Sequence, residues 1–119
     1  MTAKEGELSA VMSSFIQIGP RWSGGNEHLL GETLRGEWGW EGMVSTDAVL
    51  RSFMDPEQAI RFGSDIMLAP LGTATANTVN DAYDEDPVGI GEALRDRVHA
   101  VLYLVSNTDA MDNVSDSDN

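Results

Sequence analysis

The sequence contains no cysteine, few basic residues and no long apolar run. Without cysteine it can form neither a disulfide nor a thiolate zinc site. Seven Lys and Arg residues against twenty Asp and Glu residues give a net charge of −13, which argues against binding to nucleic acid or to an anionic membrane surface. No apolar stretch approaches the roughly 20 residues of a membrane span. Residues 1–8 lack the apolar core of a signal peptide, so a cytoplasmic location is the default expectation.

The length limits how much fold the chain can hold. Its 119 residues suffice for one domain, but a complete eight-unit α/β barrel typically needs about 250. We expect residues 1–7 to form a flexible leader and residues 112–119 a disordered acidic tail, because neither end has apolar side chains to bury. The folded part should span residues 8–111.

Three short apolar or β-branched runs predict strands. The first lies between Leu8 and Ile18 and is centred on residues 10–15, the second covers residues 43–46, and the third covers residues 64–68. Each run is followed by a helical pattern, so the strands should pair in parallel with right-handed crossovers. The predicted fold class is α/β, with three consecutive βα units forming a small parallel sheet covered by helices.

The helices carry recognisable start signals and apolar stripes. Asn26 is a candidate N-cap for a helix to about Trp38, and Asp55 followed by Pro56 predicts the start of a second helix. A third stripe extends along the last part of the chain, at Ile90, Leu94, Val98, Val101, Leu102 and Val105.

Residues 70–87 are rich in Thr, Asn, Ala and Asp and are predicted to form a loop. This segment holds an acidic cluster, Asp81, Asp84, Glu85 and Asp86. The cluster lacks the glycine and the ligand spacing of an EF-hand, so a solvated loop is expected rather than a calcium site. No other pattern indicates a metal or a cofactor, and we expect none.

Asp47 is the leading candidate for chemistry. It ends the second predicted strand, and residues at the carboxyl ends of parallel strands face the ligand crevice in sheets wound with crossover helices. Aspartate also stops strands and caps the following element, which is the competing interpretation.

Two segments, residues 9–15 (SAVMSSF) and residues 36–47 (GEWGWEGMVSTD), resemble glycoside hydrolase family 3, the β-glucosidase-like enzymes. In that family a "VMSSFN" strand is followed by a helix and then by "LRxEWGFxGMVxTD". The resemblance continues through residues 54–61 and 63–68 and reaches residues 101–107. It implies the C-terminal part of a catalytic (β/α)8 barrel.

The resemblance implies that Asp47 is the nucleophile of a retaining glycosidase acting on β-glucoside-like carbohydrate. Phe15 matches an aromatic position near the sugar site. Trp22 follows the first strand in a loop and is a candidate for lining the same site, with core packing as the competing interpretation. The chain departs from the family at Ala48, where an aromatic residue is common, and at Ile16, where Asn is common.

Retaining hydrolysis needs a second carboxyl group about 5–5.5 Å from the first. Glu41 and Asp65 lie near strand starts, the wrong end of a barrel strand for chemistry, and His28 and His99 lie in predicted helices. The acid/base is therefore unassigned, and the isolated chain is expected to be inactive. The alternative is a small non-catalytic α/β domain that acts through self-association or weak carbohydrate binding. Two open sheet edges make a homo-oligomer a further expectation.

Overall fold

A computed structural model describes residues 8–50, 54–70 and 73–108. The predicted leader and acidic tail lie outside these residues. Strands β1 (Ala10–Met12), β4 (Met43–Ala48) and β5 (Ile66–Leu68) form a parallel sheet in the order β1-β4-β5. Strands β2 (Gln17–Ile18) and β3 (Arg21–Trp22) form a separate antiparallel hairpin.

The helices follow the strands as the βα pattern predicts. Helix α1 (His28–Glu37) follows β1, α2 (Pro56–Phe62) follows β4, and α3 (Ala74–Glu85) and α4 (Pro87–Ser106) follow β5. The predicted class, a parallel α/β sheet from consecutive βα units and part of a barrel, is confirmed. No helix in the described ranges combines the length and apolar character that crossing a bilayer requires.

The first strand is shorter than predicted. The sequence suggested a strand within residues 8–18, but β1 ends at Met12 and the β2–β3 hairpin follows. Gly19 adopts a φ of 64° in the turn of this hairpin, a value that favours glycine. The residues that follow Met12 therefore form a hairpin and do not extend the pairing of β1 with β4.

Helix α1 is wound as a π-helix, with the Trp38 amide donating to the Thr33 carbonyl five residues back at 3.0 Å. The Asn26 side chain accepts from the Leu29 amide at 3.1 Å, so its predicted capping role is confirmed. Leu30 and Leu34 are buried and form one core cluster with Trp40 and Val44.

Helix α2 begins as predicted. The Asp55 carboxylate accepts from the Glu57 amide at 2.9 Å and Pro56 occupies the first turn. The helix ends at Gly63, whose φ of 124° suits only glycine and where an added Cβ would lie 2.9 Å from Leu30 Cβ. A larger residue there would separate α1 from α2.

The predicted loop at residues 70–87 is wrong over residues 74–85, which form helix α3. Alanine is the strongest helix former, and Ala82 is buried in a helix that packs on α2 and α4. Tertiary packing therefore overrides the polar composition. Asp86 lies between α3 and α4, and its carboxylate accepts from the Gly89 amide at the start of α4.

The start of the sheet is held by the buried carboxylate of Asp65. One oxygen, Oδ2, accepts from Arg35 Nη2 at 2.6 Å and from the Val44 amide at 2.7 Å. Arg97 Nε lies 3.3 Å from Oδ1. Burial raises the pKa of the Asp65 carboxyl, although the Val44 amide and the two guanidinium groups oppose that rise. This side chain therefore links β4, α1 and α4 at one point.

Replacing Asp65 with Ala should reduce the free energy of unfolding by about 3–5 kcal/mol, because it leaves two largely buried arginines without their counterion. Urea denaturation at pH 7 measures the change. The matched control is Asp81→Ala, which removes the same charge from an exposed position of α3 and should change stability by less than about 0.5 kcal/mol. Equal effects of the two substitutions would contradict a central role for Asp65.

Candidate active site

Asp47 lies at the carboxyl end of the central strand, as the penultimate residue of β4. Val44 and Thr46 are fully buried, and Val44 packs against α1. Met43, Ser45 and Asp47 alternate with them and remain partly exposed. Asp47 therefore continues the row of side chains on the sheet face that the helices leave uncovered.

A bulge interrupts β4 beside Asp47. Ser45 pairs with Ile66 and Ala48 pairs with Leu68, so three steps along β4 match two along β5. The Leu68 amide donates to the Thr46 hydroxyl at 3.0 Å, which fills the place of a ladder bond at the irregularity. Bulges bend a strand and re-aim its side chains, and they are common next to active sites.

The carboxylate of Asp47 has one oxygen engaged locally. Oδ1 accepts from the Ala48 amide at 2.7 Å, and the Asp47 amide donates to the Ser13 carbonyl at 3.1 Å. Within the described part of the chain Oδ2 has no hydrogen-bond partner and neither oxygen forms an ion pair. The backbone therefore fixes one of the two carboxylate oxygens.

The buried side chain of Trp22 holds the backbone at the end of β1. Its side chain is 1% exposed and packs with Met54 and Ala59. The indole Nε1–H donates to the Ser14 carbonyl at 2.7 Å, and the Ser23 hydroxyl donates to the same oxygen at 2.6 Å. These bonds tie the end of β1 to the hairpin that follows it.

The two aromatic residues predicted at a sugar site occupy different environments. Phe15 is 55% exposed, directly after the Ser13–Ser14 pair that borders β4, whereas Trp22 is in the core. In this conformation Trp22 can support a sugar site only through the backbone that it holds. The substrate-binding roles of both residues remain predictions.

An apolar cavity of about 310 Å³ lies between β1, the hairpin and α1. It is lined on one side by Val11 and Val44, which point toward the helix layer, and on the other by Leu30 and Leu34 of α1. The cavity is thus on the opposite face of the sheet from Asp47. It belongs to the packing layer and is not the crevice that Asp47 faces.

Comparison with solved structures places this fold within larger enzymes. No protein-family model and no curated protein matches the chain. The structure of β-glucosidase 3B from Thermotoga neapolitana in complex with α-D-glucose matches 93% of the chain, with a TM-score of 0.76 and 25% identity. Its complex with glycerol gives a TM-score of 0.78 and 24% identity. A mutant of the exo-1,3/1,4-β-glucanase from a Pseudoalteromonas species matches 82%, with a TM-score of 0.57 and 27% identity.

The resemblance to family 3 glycoside hydrolases is confirmed. The chain spans 16% of the length of the Thermotoga enzyme and 17% of the glucanase, so the match covers only a segment of each. The neighbours are glycoside hydrolases, and the shared feature is the fold of part of an α/β barrel.

Neither Glu41 nor Asp65, the two carboxyl groups weighed from the sequence, lies beside Asp47 at the carboxyl end of β4. Asp65 contacts Val44, three residues from Asp47 along β4, a separation of about 10 Å at the usual rise of a strand. Glu41 is exposed before the start of β4, and His28 pairs with Glu32 on α1. Each group lies at the wrong end of the sheet or on a helix.

Sequence reasoning missed the network that fixes the end of β1. No sequence pattern distinguishes Ser13, Ser14 and Ser23 from other serines. Only the fold brings Ser14 and Ser23 together, with their Oγ atoms 3.1 Å apart. The one residue that could have indicated this network is Trp22, because a buried tryptophan needs an acceptor for its N–H.

Within residues 8–50, 54–70 and 73–108 no three His, Asp or Glu side chains form a group that could hold a metal.

Trp22→Phe removes the indole donor while keeping most of the packing. We expect stability to fall by about 1 kcal/mol, because Ser14 O keeps its bond from Ser23, and the amide signals of Ser14 and Phe15 to shift in ¹H–¹⁵N spectra. Trp38→Phe is the matched control, since Trp38 is only partly buried and its indole has no hydrogen-bond partner within the described ranges. The prediction fails if the two variants shift Ser14 and Phe15 equally.

Proposed function

We propose that this chain is the nucleophile-bearing segment of a retaining β-glycosidase of the β-glucosidase-like kind. The observation that carries the proposal is the position of Asp47. It is the penultimate residue of the central strand, on the uncovered face and beside a bulge, and among the described residues one of its carboxylate oxygens has no hydrogen-bond partner. The family-like motif places an aspartate at the same point of its strand.

In this proposal the free oxygen of Asp47 attacks the anomeric carbon and displaces the aglycone oxygen, which takes a proton from the acid/base. Water then attacks the anomeric carbon of the glycosyl-enzyme while the acid/base, now deprotonated, takes a proton from that water, and Asp47 leaves as a carboxylate. The Ala48 amide holds the other oxygen and orients the carboxylate. The acid/base is assigned to no described residue, and in this proposal another part of a larger enzyme supplies it.

The proposed substrate is a β-linked glucoside. The names of the structural neighbours, a β-glucosidase and an exo-1,3/1,4-β-glucanase, support this class, and one of them was solved with glucose. Phe15 is proposed to contact the sugar with its exposed ring, and Trp22 to hold the adjacent backbone. No cofactor is required for this chemistry.

The isolated 119-residue chain should not hydrolyse a chromogenic aryl β-glucoside above background, because one carboxylate cannot serve as both nucleophile and acid/base. Release of the chromophore is measured at several pH values. The same assay on Asp47→Asn defines the background for this site. Turnover by the parent chain that disappears in Asp47→Asn would contradict the prediction and would reveal an acid/base within the chain.

A glucose-configured iminosugar tests the site without turnover. Its cationic nitrogen lies near the place of the reacting carbon, so a carboxylate nucleophile should attract it. We expect titration to shift the amide signals of Asp47, Ala48 and Phe15, and expect Asp47→Asn to abolish those shifts. Asp81→Asn, an equal charge change on the exposed face of α3, should leave them unchanged.

The non-catalytic alternative rests on Ala48 and Ile16, which replace the aromatic and the amide that are common in the family beside the nucleophile. If the iminosugar shifts persist in Asp47→Asn, the chain binds carbohydrate without using this carboxylate. If no shift occurs at the strand ends, the proposed glycosidase role of this site is wrong.

A further inference from the structure

The backbone of β4 changes the side to which its amides point just after Asp47. The Asp47 amide donates to the Ser13 carbonyl at 3.1 Å, on the side of β1. Because bonding alternates along a strand, the Val49 amide should face β1 as well. It donates to the Leu68 carbonyl of β5 at 2.7 Å. The bulge therefore shifts the alternation by one residue between Asp47 and Val49.

The shift displaces two bonds of the ladder between β4 and β5. A regular ladder would pair Asp47 with Leu68, whereas the observed partner of Leu68 is Ala48. In the regular register the Leu68 amide would donate to the Thr46 carbonyl, and the Leu68 carbonyl would accept from the Ala48 amide. The displaced groups need other partners, because an unpaired backbone group away from water is costly.

Side chains of the bulge provide those partners. The Leu68 amide donates to the Thr46 hydroxyl at 3.0 Å, and the Ser45 hydroxyl donates to the Thr46 carbonyl at 3.2 Å. The Ala48 amide donates to Asp47 Oδ1 at 2.7 Å. The bond that orients the carboxylate therefore depends on the bulge, because a regular ladder would direct the Ala48 amide to β5.

Thr46 is the fully buried member of this group, whereas Ser45 and Asp47 are partly exposed. Water can take the place of a lost partner at an exposed position but does not reach a buried one. A valine at position 46 would fill nearly the same space and would offer the Leu68 amide no acceptor. The Thr46 hydroxyl therefore stabilises the bulged register relative to the regular one.

We propose that Thr46 is a positioning residue for Asp47. Its hydroxyl holds the bulge, and the bulge directs the Ala48 amide to the carboxylate. The inference rests on the proposed function, in which Asp47 is the nucleophile. Thr46 alternates with Asp47 along β4, so its side chain lies on the covered face and acts only through the backbone. Alignment of the attacking oxygen matters because a small misplacement of a reacting group slows a reaction strongly.

Spectra that correlate ¹H with ¹⁵N test the inference on the 119-residue chain without a ligand. In the parent chain the Ala48 amide signal should move as pH is lowered through the range in which carboxylates gain a proton, and Asp47→Asn should abolish that response. Thr46→Val should remove most of the response, because the Ala48 amide turns away from the carboxylate. It should also speed hydrogen exchange of the Leu68 amide about tenfold, the equivalent of about 1.4 kcal/mol.

Thr46→Ser retains the hydroxyl and should restore both signals, which a loss of packing alone would not do. The matched control is Thr78→Val, which removes an exposed hydroxyl that donates to the Ala74 carbonyl of α3 at 3.1 Å. It should leave Ala48 and Leu68 unchanged. Thr46→Ala also removes the hydroxyl and remains informative if the valine variant does not fold.

Three results would overturn the inference. The first is a parent chain whose Ala48 signal does not respond to pH. The second is a response that survives the loss of the hydroxyl in Thr46→Val or Thr46→Ala. The third is a Thr46→Ser variant that loses the response as completely as Thr46→Val does.

Titration with the iminosugar separates this inference from the proposed function. Thr46→Val should weaken iminosugar binding about tenfold, and Thr46→Ser should restore it. Binding that Thr46→Val leaves unchanged would overturn the role of Thr46 in aligning Asp47 with a sugar. A parent chain without iminosugar shifts would contradict the proposed function, whereas a normal Ala48 response in that same chain would still support the positioning of the carboxylate by Thr46.

Discussion

The fold depends on a single buried carboxylate. Asp65 joins Val44 of the central strand to Arg35 of α1 and Arg97 of α4. Its amide also donates to the Val44 carbonyl at 2.7 Å, so the side chain and the backbone of one residue fix the register between β4 and β5. The arginine partners come from helices on either side in sequence. The three βα units are therefore tied at the amino end of the sheet, which leaves its carboxyl end free for a site.

The sequence predicts the parts of the fold that local signals specify. The alternation of apolar runs with helical stripes predicts that the three strands pair in parallel, and Asp55 with Pro56 predicts the start of α2. The family-like motif also places Asp47 at a strand end. These features depend on residues within a few positions of one another, where capping chemistry and periodicity act directly.

The remaining features depend on contacts between distant residues. Composition favours a loop at residues 74–85, but packing of α3 against α2 and α4 stabilises a helix. The bulge in β4 follows from its pairing with β5, which no local pattern in residues 43–48 indicates. Likewise, the sequence leaves open whether Trp22 lines a sugar site or packs in the core. In the fold its indole N–H donates to the Ser14 carbonyl.

The uncovered face of the sheet has a thermodynamic consequence. Met12 and Leu68 are 64% and 48% exposed in the folded state, so unfolding transfers little of their apolar area to water. The heat capacity change of unfolding grows with newly exposed apolar area, at about 0.45 cal/mol/K per Å². The heat capacity change of unfolding of this chain should therefore fall below the roughly 12–15 cal/mol/K per residue of ordinary globular domains. Its stability curve is correspondingly flatter, and cooling weakens the fold less than it weakens a protein whose sheet is covered on both faces.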